Sequence, residues 1–161
     1  MAGQETGLIG MEMEMTEKRK IPVVIPAYEP DEKLLGLLGE LKKEGIAPVI
    51  VVDDGSGPKY RKLFDRAEKE FGAKVLRHAV NLGKGRALKT AFNECLQSGG
   101  EIIGCVTADS DGQHTAASIR KCMEAMREHP LALVLGCRNF DQKDVPARSA
   151  FGNKLTRQVL Q

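Results

Sequence analysis

The chain has 161 residues, 42% of them apolar and 29% charged, with a formal net charge of +2. That is enough for one domain with a real core and too little for two, and so even a charge balance gives no reason to expect a nucleic acid partner. Its hydrophobic runs fall short of the roughly 18 residues a membrane span requires, and the opening residues lack the apolar stretch of an export signal.

Residues 1–20, with the alternating Met11, Met13 and Met15, read as a disordered tail ahead of an ordered domain over residues 21–161. From residue 21 onward, strand and helix patterns alternate. Residues 21–27 form a continuous apolar run. Leu34, Leu35, Leu37, Leu38 and Leu41 then make a helical stripe over residues 31–44, ended by Gly45. A second run over residues 48–52 precedes a helix opened by Ser56 and Pro58, with Leu63, Phe64, Ala67 and Phe71 on one face and Gly72 at its end. Third come a strand over residues 74–77 and a helix over residues 84–97. The fourth strand spans residues 102–107, and its helix starts near Thr115 with Ile119, Met123 and Met126 turned inward. A fifth strand is expected over residues 131–136, and a last helical segment from about residue 147.

Continuous apolar strands joined by helices imply an α/β, doubly wound, mostly parallel sheet with helices on both faces. Ligands of such sheets bind at the carboxyl ends of the strands. Tyr28 and Glu29 follow the first strand, Asp53 and Asp54 the second, Asn81 to Arg86 the third, Asp109 to His114 the fourth and Arg138 the fifth. The chemically active side chains therefore share one edge. Cys95, Cys105, Cys122 and Cys137 form no C-x-x-C pair and lie in apolar segments, as buried reduced thiols do.

Asp109, Asp111 and Gln113 place oxygen donors on alternate positions, a spacing that can converge on one hard divalent cation, Mg²⁺ or Mn²⁺, whose other ligands come from water and substrate phosphate. The alternative is an Asx-turn ahead of Thr115. Asp53 and Asp54 could contact the base or ribose of a nucleotide, or stabilise the turn at Gly55. His114 could support the site or bond only to backbone. Asn81-Leu82-Gly83-Lys84-Gly85-Arg86 places glycines and cations ahead of a helix N-terminus, although it has neither P-loop nor dinucleotide-fingerprint spacing. Arg138 and Arg148 could each clamp a phosphate through a planar fork, or lie idle on the surface.

Taken together and in order, Val24-Ile25-Pro26-Ala27-Tyr28-Glu29, Val51-Val52-Asp53-Asp54-Gly55-Ser56, Asn81-Leu82-Gly83-Lys84-Gly85, Ala108-Asp109-Ser110-Asp111-Gly112-Gln113-His114 and Gly136-Cys137-Arg138-Asn139 resemble the family 2 inverting glycosyltransferases. Within that family the chain is most similar to the dolichyl- and polyprenyl-phosphate sugar transferases. The resemblance implies the glycosyltransferase-A fold, a UDP- or GDP-sugar donor, a divalent cation and a polyprenyl-phosphate acceptor. It implies that Pro26, Ala27, Tyr28, Glu29, Asp53 and Asp54 hold the nucleoside, with Asn81, Gly83, Lys84 and Asp109 also facing the nucleotide. Asp109, Asp111 and Gln113 match the metal and diphosphate site. Arg138 and Arg148 match the arginines that receive the acceptor phosphate, and complete the catalytic group with Asp109 and Asp111. Two alternatives stay open: a family 2 enzyme that builds polysaccharide on a sugar acceptor, and a nucleotide-binding module without transferase activity.

Members of this family usually continue into a further acidic segment, acceptor-side helices and membrane spans. The chain is therefore expected to be the N-terminal, donor-binding portion of a longer protein, working at the cytoplasmic face of a membrane reached through its C-terminal part. An edge left open at its end could drive self-association into a homo-oligomer.

Overall fold

The computed structural model describes residues 20–98 and 102–136. A four-stranded parallel sheet in the order β3-β2-β1-β4 runs through them. Its strands are β1 (Val23–Ala27), β2 (Val49–Asp53), β3 (Lys74–Arg77) and β4 (Val106–Thr107). The helices are α1 (Lys33–Lys43), α2 (Arg61–Phe71), α3 (Lys84–Gln97) and α4 (Ala116–Glu128).

Both faces of the sheet are covered, as unbroken apolar strands require. Alternate side chains of β1 and β2 point to opposite faces. Val23, Ile25, Val49 and Val51 join Leu34, Leu38 and Leu41 of α1, Phe64 and Ala67 of α2 and Ile119 of α4 in one cluster. Val24, Ile50 and Val52 meet Ala87, Ala91 and Cys95 of α3 on the other face. Fully burying each larger aliphatic side chain stabilises the fold by about 2 kcal/mol. Small residues on α3 let it lie close to the sheet. Gly72 ends α2 in the left-handed conformation (φ 71°), and Thr115 caps α4 by accepting a hydrogen bond from the Ser118 N–H.

Three expectations are corrected. Ser56 does not open α2: a 3₁₀ turn at Pro58–Tyr60 precedes the helix, and the Ser56 hydroxyl accepts the Glu29 N–H at 2.9 Å. The fourth strand is shorter than residues 102–107. Ile102 bridges Lys20, and Val106 pairs with Val23, so the β4 segment carries one more residue than β1 between the two pairings. Pro22 lacks the N–H that would continue this ladder, and Gly104 has no side chain to hold it. Residues 131–136 form no strand. Leu131, Leu133 and Leu135 are exposed, and β4 offers a ladder of only two residues to extend. Hydrophobicity makes a strand favourable only where a neighbouring edge can satisfy its backbone. The last helical segment, the Met11–Met15 alternation and Cys137 lie outside the described residues.

Candidate active site at the carboxyl edge of the sheet

The sheet's strand order reverses between β1 and β4, the place where doubly wound sheets open a crevice. Ala27 of β1 and Asp53 of β2 are paired, so these strands end level, whereas Thr107 of β4 pairs with Val24. β4 therefore leaves the sheet early, and its loop carries Asp109 alongside Pro26 and Ala27. A cleft of about 300 Å³ results. It is lined by Pro26, Ala27 and Tyr28 after β1, Asp54 after β2, Asn81, Gly83 and Lys84 before α3, and Asp109 and Asp111 after β4.

Two side chains expected at the nucleotide, Asp53 and Glu29, are not among the lining residues. Asp53 Oδ1 accepts the Ser56 N–H at 2.9 Å, which shapes the turn at Gly55. Glu29 has a positive φ of 47°, and its N–H is tied to Ser56. The loops after β1 and β2 are thus fastened to each other. The Tyr28 ring is half-exposed at the rim of the cleft.

Asp54 is buried and organises the opposite wall. Its Oδ1 lies 2.7 Å from His78 Nδ1 and accepts the Leu82 N–H at 3.0 Å, while Oδ2 accepts the Gly83 N–H at 2.8 Å. Burial alone would raise its pKa, but the Leu82 N–H, His78 and the Gly83 N–H together outweigh burial and hold the carboxyl below its ordinary value. Gly83 also donates to Asn81 Oδ1 at 2.9 Å. Helix α3 starts at this loop with no side-chain cap and no acidic residue in its first turn, so the Asp54 carboxylate, through the Gly83 N–H, faces the positive end of its dipole. His78 and Thr90, 2.9 Å apart, were not expected at the site. His78 follows β3 directly at the same sheet edge, a position that could have flagged it.

On the β4 side, Lys84 Nζ lies 2.6 Å from Asp109 Oδ1, and His114 Nε2 lies 3.9 Å from Asp109 Oδ2. Asp111 Oδ1 accepts the Gln113 N–H at 2.9 Å across Gly112, which has a φ of 76°. The Asx-turn is therefore present, and it leaves the second Asp111 oxygen without a protein partner among the described residues. Gln113 is exposed and does not line the cleft. Among the described residues no three acidic, histidine or cysteine side chains converge. Two carboxylates with free oxygens nonetheless fit a hard cation that completes its shell with water and phosphate. Lys84 on Asp109 fits too, since two neighbouring carboxylates need a positive charge between them. Arg138 and Arg148 lie outside the described residues.

Compared with known proteins, residues 23–153 match the glycosyl transferase family 2. A relative in Methanocaldococcus jannaschii, an uncharacterised protein, is 37% identical over 84% of this chain and 55% of its own length. The UDP-N-acetylglucosamine–dolichyl-phosphate N-acetylglucosaminyltransferase of Methanococcus voltae is 26% identical over 83% of this chain and 59% of its own. The chain thus spans somewhat more than half the length of these relatives. In fold, it is similar to the crystal structure of S. aureus TarS 1–349, with a TM-score of 0.56 and 22% identity over 79% of this chain and 38% of that one.

Proposed function

The chain belongs to glycosyl transferase family 2, and from that premise we propose that it is the donor-binding part of an inverting hexosyltransferase that moves a sugar from a nucleoside diphosphate to a polyprenyl phosphate. The observation that carries this reading is the cleft itself. Asp54 and Asn81 at one end, Lys84 and the uncapped start of α3 in the middle, and Asp109 and Asp111 at the other end line one opening. Such a sequence of groups suits a nucleoside, a diphosphate and a cation in turn.

A bound Mg²⁺ or Mn²⁺, held by Asp109 and Asp111 with Gln113 nearby, would offset the charge that grows on the leaving diphosphate. The chain's own residues do the rest. Lys84 and the N–H groups opening α3 draw the diphosphate in, and Tyr28, Pro26 and Ala27 form the wall beside the nucleoside. The acceptor oxygen forms the new bond at the anomeric carbon as the bond to the diphosphate oxygen breaks on the opposite face, so the configuration inverts. A lipid phosphate is already an anion at neutral pH and requires cations to place it more than a base to activate it, the role assigned to Arg138 and Arg148. The dolichyl-phosphate activity in the name of the Methanococcus voltae relative supports this acceptor class. No helix among the described residues is long and apolar enough to cross a membrane. We assign residues 21–161 to the cytoplasmic face of a membrane, engaged through C-terminal parts such as those expected of the family.

Calorimetric titration of the 161-residue chain with UDP and GDP, each in Mn²⁺ and in EDTA, tests the donor site. Metal-dependent binding is expected, and Asp109→Asn and Asp111→Asn should each weaken it at least tenfold, about 1.4 kcal/mol. Unchanged affinity in both folded variants would remove the metal assignment. Sugar transfer to dolichyl phosphate, set against transfer to an oligosaccharide, tests the acceptor.

A further inference from the structure

The mechanism above makes no use of one buried polar side chain beside the cleft, His78. Its side chain is only 10% exposed, and its ring bridges Asp54 and Thr90, with Nδ1 2.7 Å from Asp54 Oδ1 and Nε2 2.9 Å from Thr90 Oγ1. A carboxylate only accepts, so Nδ1 carries the proton on that side. With the Leu82 N–H on Oδ1 and the Gly83 N–H on Oδ2, Asp54 takes three protein donors. An ionised carboxylate has about four acceptor positions. One remains, on Oδ2, for a ligand in the cleft that Asp54 lines.

We propose that His78 is a positioning residue for nucleotide recognition: it locks Asp54 so that a ligand meets a single acceptor, which favours uracil over guanine. Uracil presents one imide N–H between two carbonyls. Guanine presents N1–H and its amino group side by side, a pair that needs both oxygens of a carboxylate, and here Oδ1 is fully engaged. One guanine donor would be left unpaired in the cleft, a loss that hydrogen-bonding sites discriminate against strongly. Asn81 completes the match. Its Oδ1 is held by the Gly83 N–H, so its amino group is the part left to donate to a carbonyl beside the imide. This inference rests on the nucleotide-binding reading and deepens it.

The test is calorimetric titration of UDP and GDP, in Mn²⁺, into the wild-type chain and the His78→Ala and His78→Asn variants, with circular dichroism to confirm folding. The wild-type chain should bind UDP at least about tenfold more tightly than GDP. His78→Ala frees Oδ1 and should bring the two nucleotides within about threefold of each other, while His78→Asn, whose amide can donate in place of Nδ1, should restore most of the preference. A general loss of stability would weaken both nucleotides and leave their ratio unchanged, so the ratio reads the positioning role. His78→Phe, which keeps the ring's bulk and loses both nitrogens, serves if the alanine variant does not fold. Equal or tighter GDP binding by the wild-type chain, or an unchanged ratio in His78→Ala, overturns the proposal. Binding of neither nucleotide by the wild-type chain would instead remove the nucleotide site on which it rests.

Discussion

Replacing Gly55 with alanine should cost far more than replacing a glycine of similar backbone conformation elsewhere. Gly55 has a φ of 75°, and a Cβ built there would fall on the carbonyl carbon of Val80 and the amide nitrogen of Asn81, and 2.7 Å from Val80 Cα. These are backbone atoms, so no side chain can swing aside. The loop would have to retreat by roughly 1 Å to reach van der Waals separation. That displacement stretches the Leu82 and Gly83 N–H bonds to Asp54, now 3.0 and 2.8 Å, beyond useful length. Left-handed strain contributes about 1 kcal/mol, and weakening two charge-assisted bonds adds about 1.5 kcal/mol or more each at full loss. A destabilisation of about 4 kcal/mol follows, lowering the melting temperature of a domain this size by roughly 12 °C.

Gly72→Ala is the control, because Gly72 has a φ of 71° but nothing within 4 Å of a built Cβ. It should cost only the strain, about 1 kcal/mol. Urea denaturation followed by circular dichroism gives both values, and titration with the nucleotide should show at least tenfold weaker binding for Gly55→Ala and unchanged binding for Gly72→Ala. Equal destabilisation by the two substitutions would refute the argument, since it would mean the loop over residues 80–83 does not rest on Gly55.

The remaining predictions concern charge and thiols. Lys84→Met should leave folding stability within about 0.5 kcal/mol, because its pair with Asp109 is largely exposed. It should nonetheless weaken nucleoside diphosphate binding about tenfold while tightening free Mn²⁺; electron paramagnetic resonance of Mn²⁺ reads the second effect, and weaker metal binding would count against the assignment. Asp54 is held below its ordinary value of 3.8, so its stabilisation is complete above that pH and is lost as the pH falls through the lower folded value. Amide exchange at Leu82 and Gly83 should therefore keep its protection down to about pH 4, and loss between pH 7 and 5 would contradict the network. Burial pushes the Cys105 thiol up to about 11, with Cys95 beside it adding to the shift, and burial raises Cys95 as well. Both should resist alkylation at pH 8 in the folded chain and react on unfolding, as followed by mass spectrometry, and Cys95→Ala should bind nucleotide normally.

Periodicity and punctuation in the sequence determined most of the architecture. The leucine stripe of α1, the bounds of β3 and α3, and the start of α4 near Thr115 could all be read directly, because each depends on local spacing and on a residue's own conformational preference. Alternation of strand and helix also puts the polar clusters that follow β1, β2, β3 and β4 at one sheet edge. What the sequence left open depends on contacts between distant segments. Ser56 serves Glu29 rather than its own helix, Asp53 and Asp54 divide into a turn-former and a loop anchor, and His78 reaches Thr90 and Asp54 across the cleft wall. Likewise residues 131–136 have a strand's hydrophobicity, yet Leu131, Leu133 and Leu135 stay exposed and the adjacent β4 ladder is only two residues long. A side chain's type sets which bonds it can make. Only the tertiary structure decides which partner comes within 3 Å of it, and that choice separates the residues that hold the cleft in shape from those left to meet a ligand.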